Sequence, residues 1–230
     1  MNEIICFSGG LDSYVAWLKL GKPQTIHFVN HSRYSIWEFA AVERLQKLHL
    51  EMNAILLGVS FMRNSEQEDA WIPGRNDMFI RIAAYYGDHI YLPCQLGERN
   101  IEDRSEEFFR NISEDLTKHH RRQKIADPVF VNETKADLIK FYLDQGYPID
   151  NLKLTYSCFL GFERRCGSCP ACFRTALALI YNEISYRDWF LDDPMRWEGV
   201  DEYIEKFRSG HYDSRRNEQS LDALRKVGRI

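Results

Sequence analysis

The sequence predicts an α/β fold in which a doubly wound, mostly parallel sheet is followed by a small cysteine-rich module. Three observations support this prediction. Short apolar runs alternate with helical patterns through the first half of the chain, as in βαβ units. The loop SGGLDS at 8–13 joins the first apolar run to the first helical pattern. Four of the six cysteines lie between positions 158 and 172.

The predicted strands are short apolar runs rich in β-branched and aromatic residues. They are IICF (4–7), TIHFV (25–29), AILLGV (54–59) and HIYLP (89–93). Because helical patterns separate them, the strands are expected to run parallel, with helices on both faces of the sheet. Ligands of such sheets bind beyond the carboxyl ends of the strands, which is where SGGLDS lies.

Helical patterns fill the spaces between these runs and continue after them. We expect helices at about 12–20, 36–50, 76–86, 103–119, 134–145 and 173–183. The tail from about 185 is charged and aromatic, and it becomes strongly polar after Gly210. It predicts helices packed on the core, followed by a looser terminus. We therefore divide the chain into a domain at 1–150, a cysteine module at 151–184 and a helical extension at 185–230.

Composition narrows the class of protein. Hydrophobic residues make up 44% and charged residues 28%, which is ordinary for a globular enzyme. No apolar run approaches the roughly 18–20 residues that span a bilayer, and the N-terminus lacks the features of a signal peptide, so we expect a cytoplasmic protein. The net charge of −4 argues against stable nucleic-acid binding. The basic stretch HHRRQK at 119–124 is either a solvated helix end or a local anion site.

The loop SGGLDS has the residues of an anion-binding turn. If Gly9 and Gly10 take positive φ, successive backbone N–H groups can surround an anion, and a helix starting near Asp12 adds its positive end. Ser8 and Ser13 supply hydroxyl donors. Asp12 either caps the helix or helps to hold a Mg²⁺ ion. The alternative is an ordinary glycine-rich turn between a strand and a helix.

The string SGGxDS after an N-terminal strand resembles the signature loop of the PP-loop ATP pyrophosphatases, a Rossmann-like superfamily of the HUP type. The resemblance implies that ATP, bound with Mg²⁺, adenylates an oxygen of the substrate and releases pyrophosphate, after which a nucleophile displaces AMP. It also implies that the loop and its flanks contact the nucleotide. The residues concerned are Phe7, Ser8, Gly9, Gly10, Leu11, Asp12 and Ser13.

The cysteine cluster has the spacing C-x7-C-x2-C-x2-C, formed by Cys158, Cys166, Cys169 and Cys172. Two successive CxxC steps can present thiolates to one tetrahedral ion, and four sulfurs leave no open position, so the spacing favours a structural zinc site. An iron–sulfur cluster and a redox-active CxxC pair are the alternatives.

Together, the motifs resemble the QueC family of 7-cyano-7-deazaguanine (preQ0) synthases. IPGRND at 72–77 resembles the family's PGRN segment, TKAD at 134–137 resembles its lysine–alanine–acid triplet after a proline, and TYSCFLG with CGSCPACFRT resembles its zinc segment. The resemblance covers roughly residues 3–178. It implies nucleotide contacts from Gly74, Arg75, Asn76 and Arg33, and a catalytic set made of Lys135, Arg75 and Asp12.

These assignments agree with the chemistry of the side chains. The Arg75 guanidinium suits a phosphate or carboxylate, unless it only forms a surface ion pair. Asn76 can bond a base edge or a ribose. Lys135 can neutralise charge that develops on a phosphate, unless it points into solvent from the start of a helix. Arg33 falls where the family has an arginine–histidine pair, and Tyr34 replaces the histidine.

The chain departs from the family after the fourth strand, where LGERNIEDRSEEFF replaces a loop that holds the deazapurine. Asp103 is our candidate for bonding the guanine-like edge, with Asn76 beside the same substrate. Asp103 is also a candidate N-cap for the predicted helix at 103–119, since DRSE has capping-box spacing.

The resemblance implies a ligase of queuosine biosynthesis that converts 7-carboxy-7-deazaguanine and ammonia to the nitrile through an adenylated acid and an adenylated amide. Other readings are an enzyme that stops at the amide or uses another amine, a PP-loop tRNA-thiolating enzyme, and a zinc-stabilised nucleotide-binding module without turnover. We expect a homodimer, with the tail beyond about 185 serving dimer packing or a partner.

Overall fold

The computed structural model describes residues 1–68, 71–96 and 102–230. Its centre is a five-stranded sheet in the order β3-β2-β1-β4-β5, and every pairing between neighbouring strands is parallel. The strands are β1 (Glu3–Cys6), β2 (Gln24–Val29), β3 (Ala54–Gly58), β4 (His89–Pro93) and β5 (Ile125–Val129). Helices cover both faces, so the predicted α/β class is confirmed.

The described helices follow the predicted order. They are α1 (Leu11–Lys19), α2 (Ser35–Leu48), α3 (Arg75–Ala83), α4 (Glu106–His120), α5 (Lys135–Asp144), α6 (Ile149–Lys153), α7 (Pro170–Tyr181), α8 (Val200–Arg208) and α9 (Ser214–Lys226). Helix α7 begins three residues earlier than predicted because Pro170 occupies its first turn, where a missing N–H costs nothing. The polar tail after Gly210 is not a loose terminus, since most of it forms α9.

The alternation of side chains along β1 builds the two cores. Ile4 and Cys6 face the layer formed by α3 and α4, while Ile5 and Phe7 face the layer that contains α1, α5 and α7. Helices α8 and α9 contribute buried residues to the second layer, so the C-terminal extension shares its core with the sheet.

Backbone contacts also join the cysteine module to the extension. The Leu191 and Asp192 N–H groups donate to the carbonyls of Arg165 and Cys166. Gly167 has a φ of +83°, and a Cβ there would lie 1.9 Å from the Asp192 carbonyl oxygen. The extension therefore packs directly over the turn that carries the cysteines.

The basic stretch at 119–124 lies at the end of α4, and residues 119 and 121–123 are exposed, as expected for a solvated helix end. Lys124 is buried, and its ammonium donates to the carbonyls of Ala84 and Gly87 and to the Asp88 carboxylate. Arg122 pairs with the same carboxylate at 3.2 Å. Lys124 and Arg122 thereby connect the turn before β5 to the end of α3 and to the turn before β4. Among the described residues, no helix has both the length and the apolar character needed to cross a membrane.

Candidate functional site

The glycine–serine loop lies at the carboxyl end of β1, in the centre of the sheet. Gly9 takes a φ of +77°, whereas Gly10 is extended with φ −76° and ψ 164°, so only one of the two glycines uses a positive φ. The Gly10 N–H donates to Ser8 Oγ at 3.2 Å, and Ser13 Oγ donates to the Gly10 carbonyl at 3.0 Å. The two serine hydroxyls thereby fix the shape of the loop at the start of α1.

Helix α2 and the segment around Tyr156 pack closely against the glycine–serine loop. A Cβ on Gly9 would lie 2.8 Å from the Glu38 carbonyl oxygen, and one on Gly10 would lie 3.2 Å from the Tyr156 carbonyl oxygen. The Tyr156 N–H also donates to the Gly9 carbonyl at 2.9 Å. The segment that leads to the cysteine cluster therefore holds the loop in place through the backbone. Phe7 and Leu11 are buried, so they present only backbone groups at this edge.

Asp12 does not cap α1, contrary to one of the two predicted roles. The helix begins at Leu11, its N-cap is Gly10, and no side chain caps it, so Asp12 sits inside the first turn. The Asp12 carboxylate instead accepts a hydrogen bond from Lys135 Nζ at 2.5 Å. If the loop binds phosphates as predicted, one carboxylate beside it fits the way proteins usually hold Mg²⁺, with the remaining ligands coming from phosphates and water.

Lys135 is held at the first position of α5, after β5. Thr134 and Asp137 form a capping box: Thr134 Oγ1 accepts from the Asp137 N–H at 3.2 Å, and the Asp137 carboxylate accepts from the Thr134 N–H at 2.9 Å. The Lys135 side chain is only 14% exposed and points towards the loop. The solvent-facing alternative is therefore wrong.

The segment IPGRND provides a second helix start at this edge. Gly74 has a φ of +66° and is the N-cap of α3, which begins at Arg75. Asn76 is buried, and no side-chain hydrogen bond joins it to the residues that the structure describes. Arg75 Nη1 donates to the Tyr34 hydroxyl at 3.4 Å, so this guanidinium faces the start of α2 and is not a surface ion pair.

The N-cap residue of α2, Tyr34, and Glu38 in its first turn shape the electrostatics around Arg75. Loss of water around the Glu38 carboxyl raises its pKa to about 8, while the positive charge of Arg75 opposes that rise. Burial also raises the pKa of the Tyr34 hydroxyl. Burial thus favours the protonated form of the Glu38 carboxyl, which limits how far this group can neutralise the Arg75 charge.

The Arg33 side chain bonds to the segment that follows β3. Its Nε donates to Glu66 Oε1 at 2.9 Å, and its Nη2 donates to the Gln67 carbonyl at 3.1 Å. The structure thus ties Arg33 to the segment after β3. A nucleotide contact from this guanidinium stays a prediction.

Asp103 lies in a short 3₁₀ turn at Glu102–Arg104, and the helix starts three residues later than predicted. Ser105 is the N-cap of α4, and its hydroxyl accepts from the Phe108 N–H at 3.1 Å. The capping role predicted for Asp103 is therefore wrong, because Ser105 performs it. The adjoining loop residues 97–101 lie outside the described residues.

The four cysteines converge into one buried cluster. Their sulfurs all lie within 4.8 Å of one another, and the Cys166 and Cys172 sulfurs are 3.7 Å apart. Four thiolates around a tetrahedral zinc, with Zn–S bonds of about 2.3 Å, are separated by about 3.8 Å, so the cluster can hold such an ion. The Ser168 N–H donates to Cys166 Sγ at 3.2 Å, which orients that sulfur.

A buried arginine stands beside the cluster. Arg165 Nη2 donates to the Leu152 carbonyl and to the carbonyl and hydroxyl of Thr155, and its guanidinium lies 5.3 Å from the centre of the Trp189 ring. Burial lowers the pKa of Arg165 to about 10, which still leaves it charged at neutral pH. That charge would compensate part of the negative charge that the cysteines carry as thiolates when they hold a metal ion.

Some site features could not be recognised from the motifs. Tyr34 and Glu38 are one helical turn apart, and that spacing is a weak signal because most such pairs lie on solvated helix faces. The Tyr156 contact to Gly9 is made by the backbone, so no residue type marks it.

The parallel sheet with helices on both faces, and the cluster of four cysteines that can hold a metal ion, define an α/β protein with a cysteine-rich module. Residues 24–182 match the family model described as "Queuosine biosynthesis protein QueC", and the chain belongs to this family. The matched residues begin at β2, so the loop at 8–13 precedes them.

Curated relatives agree with this assignment. The chain is similar to a protein named 7-cyano-7-deazaguanine synthase from Saccharolobus solfataricus, at 31% identity over 85% of this chain and 47% of the relative. A second, named 7-cyano-7-deazaguanine synthase 2, from Sulfurisphaera tokodaii, is 26% identical over the same shares. A third, named 7-cyano-7-deazaguanine synthase, from Archaeoglobus fulgidus, is 28% identical over 91% of this chain and 97% of the relative. The chain spans about half the length of the first two relatives.

Proposed function

We propose that this protein uses ATP to convert 7-carboxy-7-deazaguanine and ammonia to 7-cyano-7-deazaguanine. The observation that carries the proposal is the 2.5 Å contact between Lys135 Nζ and Asp12 Oδ1, which brings two separate motifs together at the carboxyl edge of the sheet. The names of the relatives support the choice of substrate and product.

The first half-reaction makes an amide. A carboxylate oxygen of the acid attacks the α-phosphorus of ATP, the bond to the pyrophosphate group breaks, and an acyl-adenylate forms. Ammonia then attacks the acyl carbon, AMP leaves, and a proton is lost to give the amide. Activation is needed because a carboxylate has no acceptable leaving group, and AMP supplies one.

The second half-reaction makes the nitrile. The amide oxygen is activated by a second ATP, and loss of that oxygen with its phosphate group, together with the amide protons, leaves the carbon–nitrogen triple bond. The same contacts serve both halves, since each begins with a substrate oxygen attacking a phosphorus. Release of AMP and pyrophosphate follows from attack on the α-phosphorus; attack on the γ-phosphorus would instead release ADP and phosphate.

In this proposal the chain acts by positioning and by electrostatics. The Gly9 turn and the start of α1 accommodate phosphate oxygens, as helix N-termini do in general. Lys135 places a positive charge beside them, and Arg75 with Asn76 faces the nucleotide or the substrate from the start of α3. A Mg²⁺ ion bound with ATP would neutralise further phosphate charge, with Asp12 as its protein ligand. No side-chain nucleophile is required.

The four-cysteine cluster has a structural role in this proposal. All four cysteines are buried, so a zinc ion held by them would have no open position for substrate or water. Its contribution to the reaction is indirect, because the cluster anchors the segment whose Tyr156 N–H bonds the Gly9 carbonyl.

Mass spectrometry of the products formed from ATP, ammonium and 7-carboxy-7-deazaguanine tests the proposal. We expect the nitrile, with formation of AMP and pyrophosphate that depends on the acid. Accumulation of the amide alone would show that only the first half-reaction occurs. ATP consumption that is independent of the acid, or the absence of any turnover, would overturn the proposal.

A further inference from the structure

The backbone of the first strand leaves the sheet at Phe7, one residue before the glycine–serine loop. The pairing of β1 with β2 ends at Cys6 and Ile26. The Phe7 N–H still donates to the Ile26 carbonyl at 2.8 Å, and in a regular parallel ladder the Phe7 carbonyl would next accept from the Phe28 N–H. It accepts instead from a side chain, with 2.9 Å between His27 Nδ1 and the carbonyl oxygen. The His27 side chain thus ends the ladder where the loop begins.

This hydrogen bond fixes which ring nitrogen of His27 carries a proton. A carbonyl oxygen only accepts, so Nδ1 is the donor, and Nε2 of the neutral ring is unprotonated. The side chain is buried, and Nε2 has no hydrogen-bond partner among the described residues. Burial lowers the pKa of His27, which favours the neutral ring. Within the described residues, the bond to the Phe7 carbonyl is therefore the only hydrogen bond of this ring.

The same hydrogen bond sets the direction of the Ser8 N–H. The peptide between Phe7 and Ser8 is trans, so its carbonyl and its N–H point in opposite directions across one plane. Because the carbonyl is held towards His27 on β2, the Ser8 N–H points away from β2 at the carboxyl edge of the sheet. No backbone carbonyl of the described residues accepts a hydrogen bond from it. This donor is therefore available to an anion at the loop.

The His27 ring also contacts the helix that confines the loop. Its centre lies 6.2 Å from the centre of the Phe39 ring on α2. Phe39 follows Glu38, whose carbonyl oxygen would lie 2.8 Å from a Cβ on Gly9. The ring is thus packed between β2 and α2, and this packing restricts its orientation towards the Phe7 carbonyl.

We infer that His27 is a positioning residue of the nucleotide site: by holding the Phe7 carbonyl, it directs the Ser8 N–H towards a phosphate group of ATP. The inference rests on the proposed function for the presence of ATP at the loop. A phosphate oxygen is an anionic acceptor, so an N–H that points at it forms a charge-assisted hydrogen bond. His27 acts through the backbone and needs no contact with the nucleotide.

Two substitutions separate the hydrogen bond of His27 from the volume of its ring. His27→Phe keeps an aromatic ring but removes the donor, which frees the Phe7 carbonyl to rejoin the ladder. We expect this variant to bind a non-hydrolysable ATP analogue about 10- to 100-fold more weakly than wild type, the usual effect of losing a hydrogen bond to a charged group. His27→Asn keeps a donor near the position of Nδ1, so it should recover part of that affinity. Calorimetry below the melting temperature of each variant measures the affinities.

Thr25→Val is the matched control, because Thr25 is buried on the same strand and the same face of the sheet as His27. Its hydroxyl has no partner among the described residues, so this variant should keep the ATP-analogue affinity of wild type. Equal affinity in wild type and in His27→Phe would overturn the inference. Equal losses in His27→Phe and His27→Asn would also overturn it, because they would show that the shape of the ring matters and its donor does not.

Nitrogen NMR of the wild-type protein tests the geometry without any substitution. At neutral pH we expect the His27 ring to carry its proton on Nδ1, and the Ser8 amide signal to shift when the ATP analogue binds. A proton on Nε2 in place of Nδ1, or a Ser8 signal that does not move at saturation, would overturn the inference.

The proposed function and this inference can fail separately. If the nitrile is formed and His27→Phe keeps the ATP-analogue affinity of wild type, the proposed function stands and the positioning role is wrong. If no nitrile is formed while His27→Phe binds the ATP analogue more weakly than wild type and Thr25→Val does not, the positioning role stands and the proposed substrate is wrong.

Discussion

Lys135 Nζ lies 2.5 Å from Asp12 Oδ1, although the two residues are 123 positions apart in the chain. Lys135 starts the helix after β5 and Asp12 lies in the first turn of the helix after β1, with β4 between these two strands in the sheet. The pair therefore joins the helices that follow β1 and β5, across the carboxyl end of β4. Under the proposed function, a bound phosphate group would compete with Asp12 for the lysine, and Lys135 would then stabilise its negative charge.

Replacing the lysine tests this role. Lys135→Met should lower the rate of acid-dependent pyrophosphate release by about 100- to 1,000-fold, since a charge that stabilises the developing phosphate charge is lost. Affinity for a non-hydrolysable ATP analogue should change much less, because the backbone of the loop remains. Lys140→Met is the matched control, as Lys140 lies on the same helix and forms an exposed pair with Asp144. Equal rates in the two variants would show that Lys135 has no role in the reaction.

The fold was largely predictable because local patterns determine most of it. All four predicted strands agree with the structure to within one residue at each end. The fifth, IADPV, was missed because Asp127 and Pro128 are unfavourable strand residues. Pro128 is tolerated because β5 is an edge strand, where one side of the backbone needs no partner. The start of α4 was misplaced because Asp103 and Ser105 are both good caps, and the sequence alone does not choose between them.

The site was predictable only where the functional residues lie close together in the sequence. SGGLDS and the cysteine spacing gave the loop and the cluster directly. The Arg75 contact to Tyr34 and the attachment of α9 to the start of α5 depend on how distant elements pack, and no local periodicity encodes that. Asp12 shows the same limit, since its residue type suits a cap while the tertiary structure pairs it with Lys135.

Gly9→Ala should destabilise the protein for two reasons, the positive φ at this position and a close contact of the new Cβ. Gly9 and Gly21 both have a φ of +77°, but only a Cβ on Gly9 meets another group, the Glu38 carbonyl oxygen at 2.8 Å. Each alanine variant should lose about 1 kcal/mol for the positive φ. In Gly9→Ala, the close contact should lower the free energy of unfolding by about a further 1–3 kcal/mol. It should also weaken nucleotide binding. Thermal unfolding and ATP-analogue titration measure both, and similar behaviour of the two variants would contradict the close packing of the loop.

Glu38 should make the stability of the protein fall as pH rises. Its pKa is raised from an ordinary 4.5 to about 8, so between these values the folded state retains a proton that the unfolded state releases. The free energy of unfolding contributed by this group is therefore lost progressively from about pH 4.5 to pH 8. Glu38→Gln removes the titration, and its melting temperature should exceed that of wild type by about 2–4 °C at pH 8, with little difference at pH 5.

The control for this experiment is Glu43→Gln, because Glu43 lies on the same helix and is exposed. Melting curves of the three proteins at pH 5, 6.5 and 8 would be compared. A gain of stability in Glu38→Gln that is the same at every pH would show that the effect does not arise from the carboxyl proton.

Asp103→Asn separates substrate binding from helix stability, since the structure gives the cap of α4 to Ser105. If Asp103 bonds the amino edge of the base, its variant should raise the KM for the deazapurine acid by about tenfold and leave ATP affinity and melting temperature unchanged. Ser105→Ala should do the reverse, costing about 1 kcal/mol of stability with little effect on KM. Steady-state kinetics and thermal unfolding of both variants measure the split. An unchanged KM in Asp103→Asn would remove this residue from substrate recognition.

Loss of one cysteine of the cluster should lower the stability of the fold before it alters the chemistry. We expect close to one zinc per chain, measured by metal analysis, because four buried sulfurs within 4.8 Å of one another can surround a tetrahedral ion and leave it no open position. Cys166→Ala should lower zinc content, soluble yield and melting temperature together, since metal binding contributes to folding. Cys6→Ala is the control, because Cys6 is buried in β1 and outside the cluster, so it should retain the metal. Full stability of a metal-free preparation would contradict a structural zinc, and an iron–sulfur absorption spectrum would assign the cluster to a different cofactor.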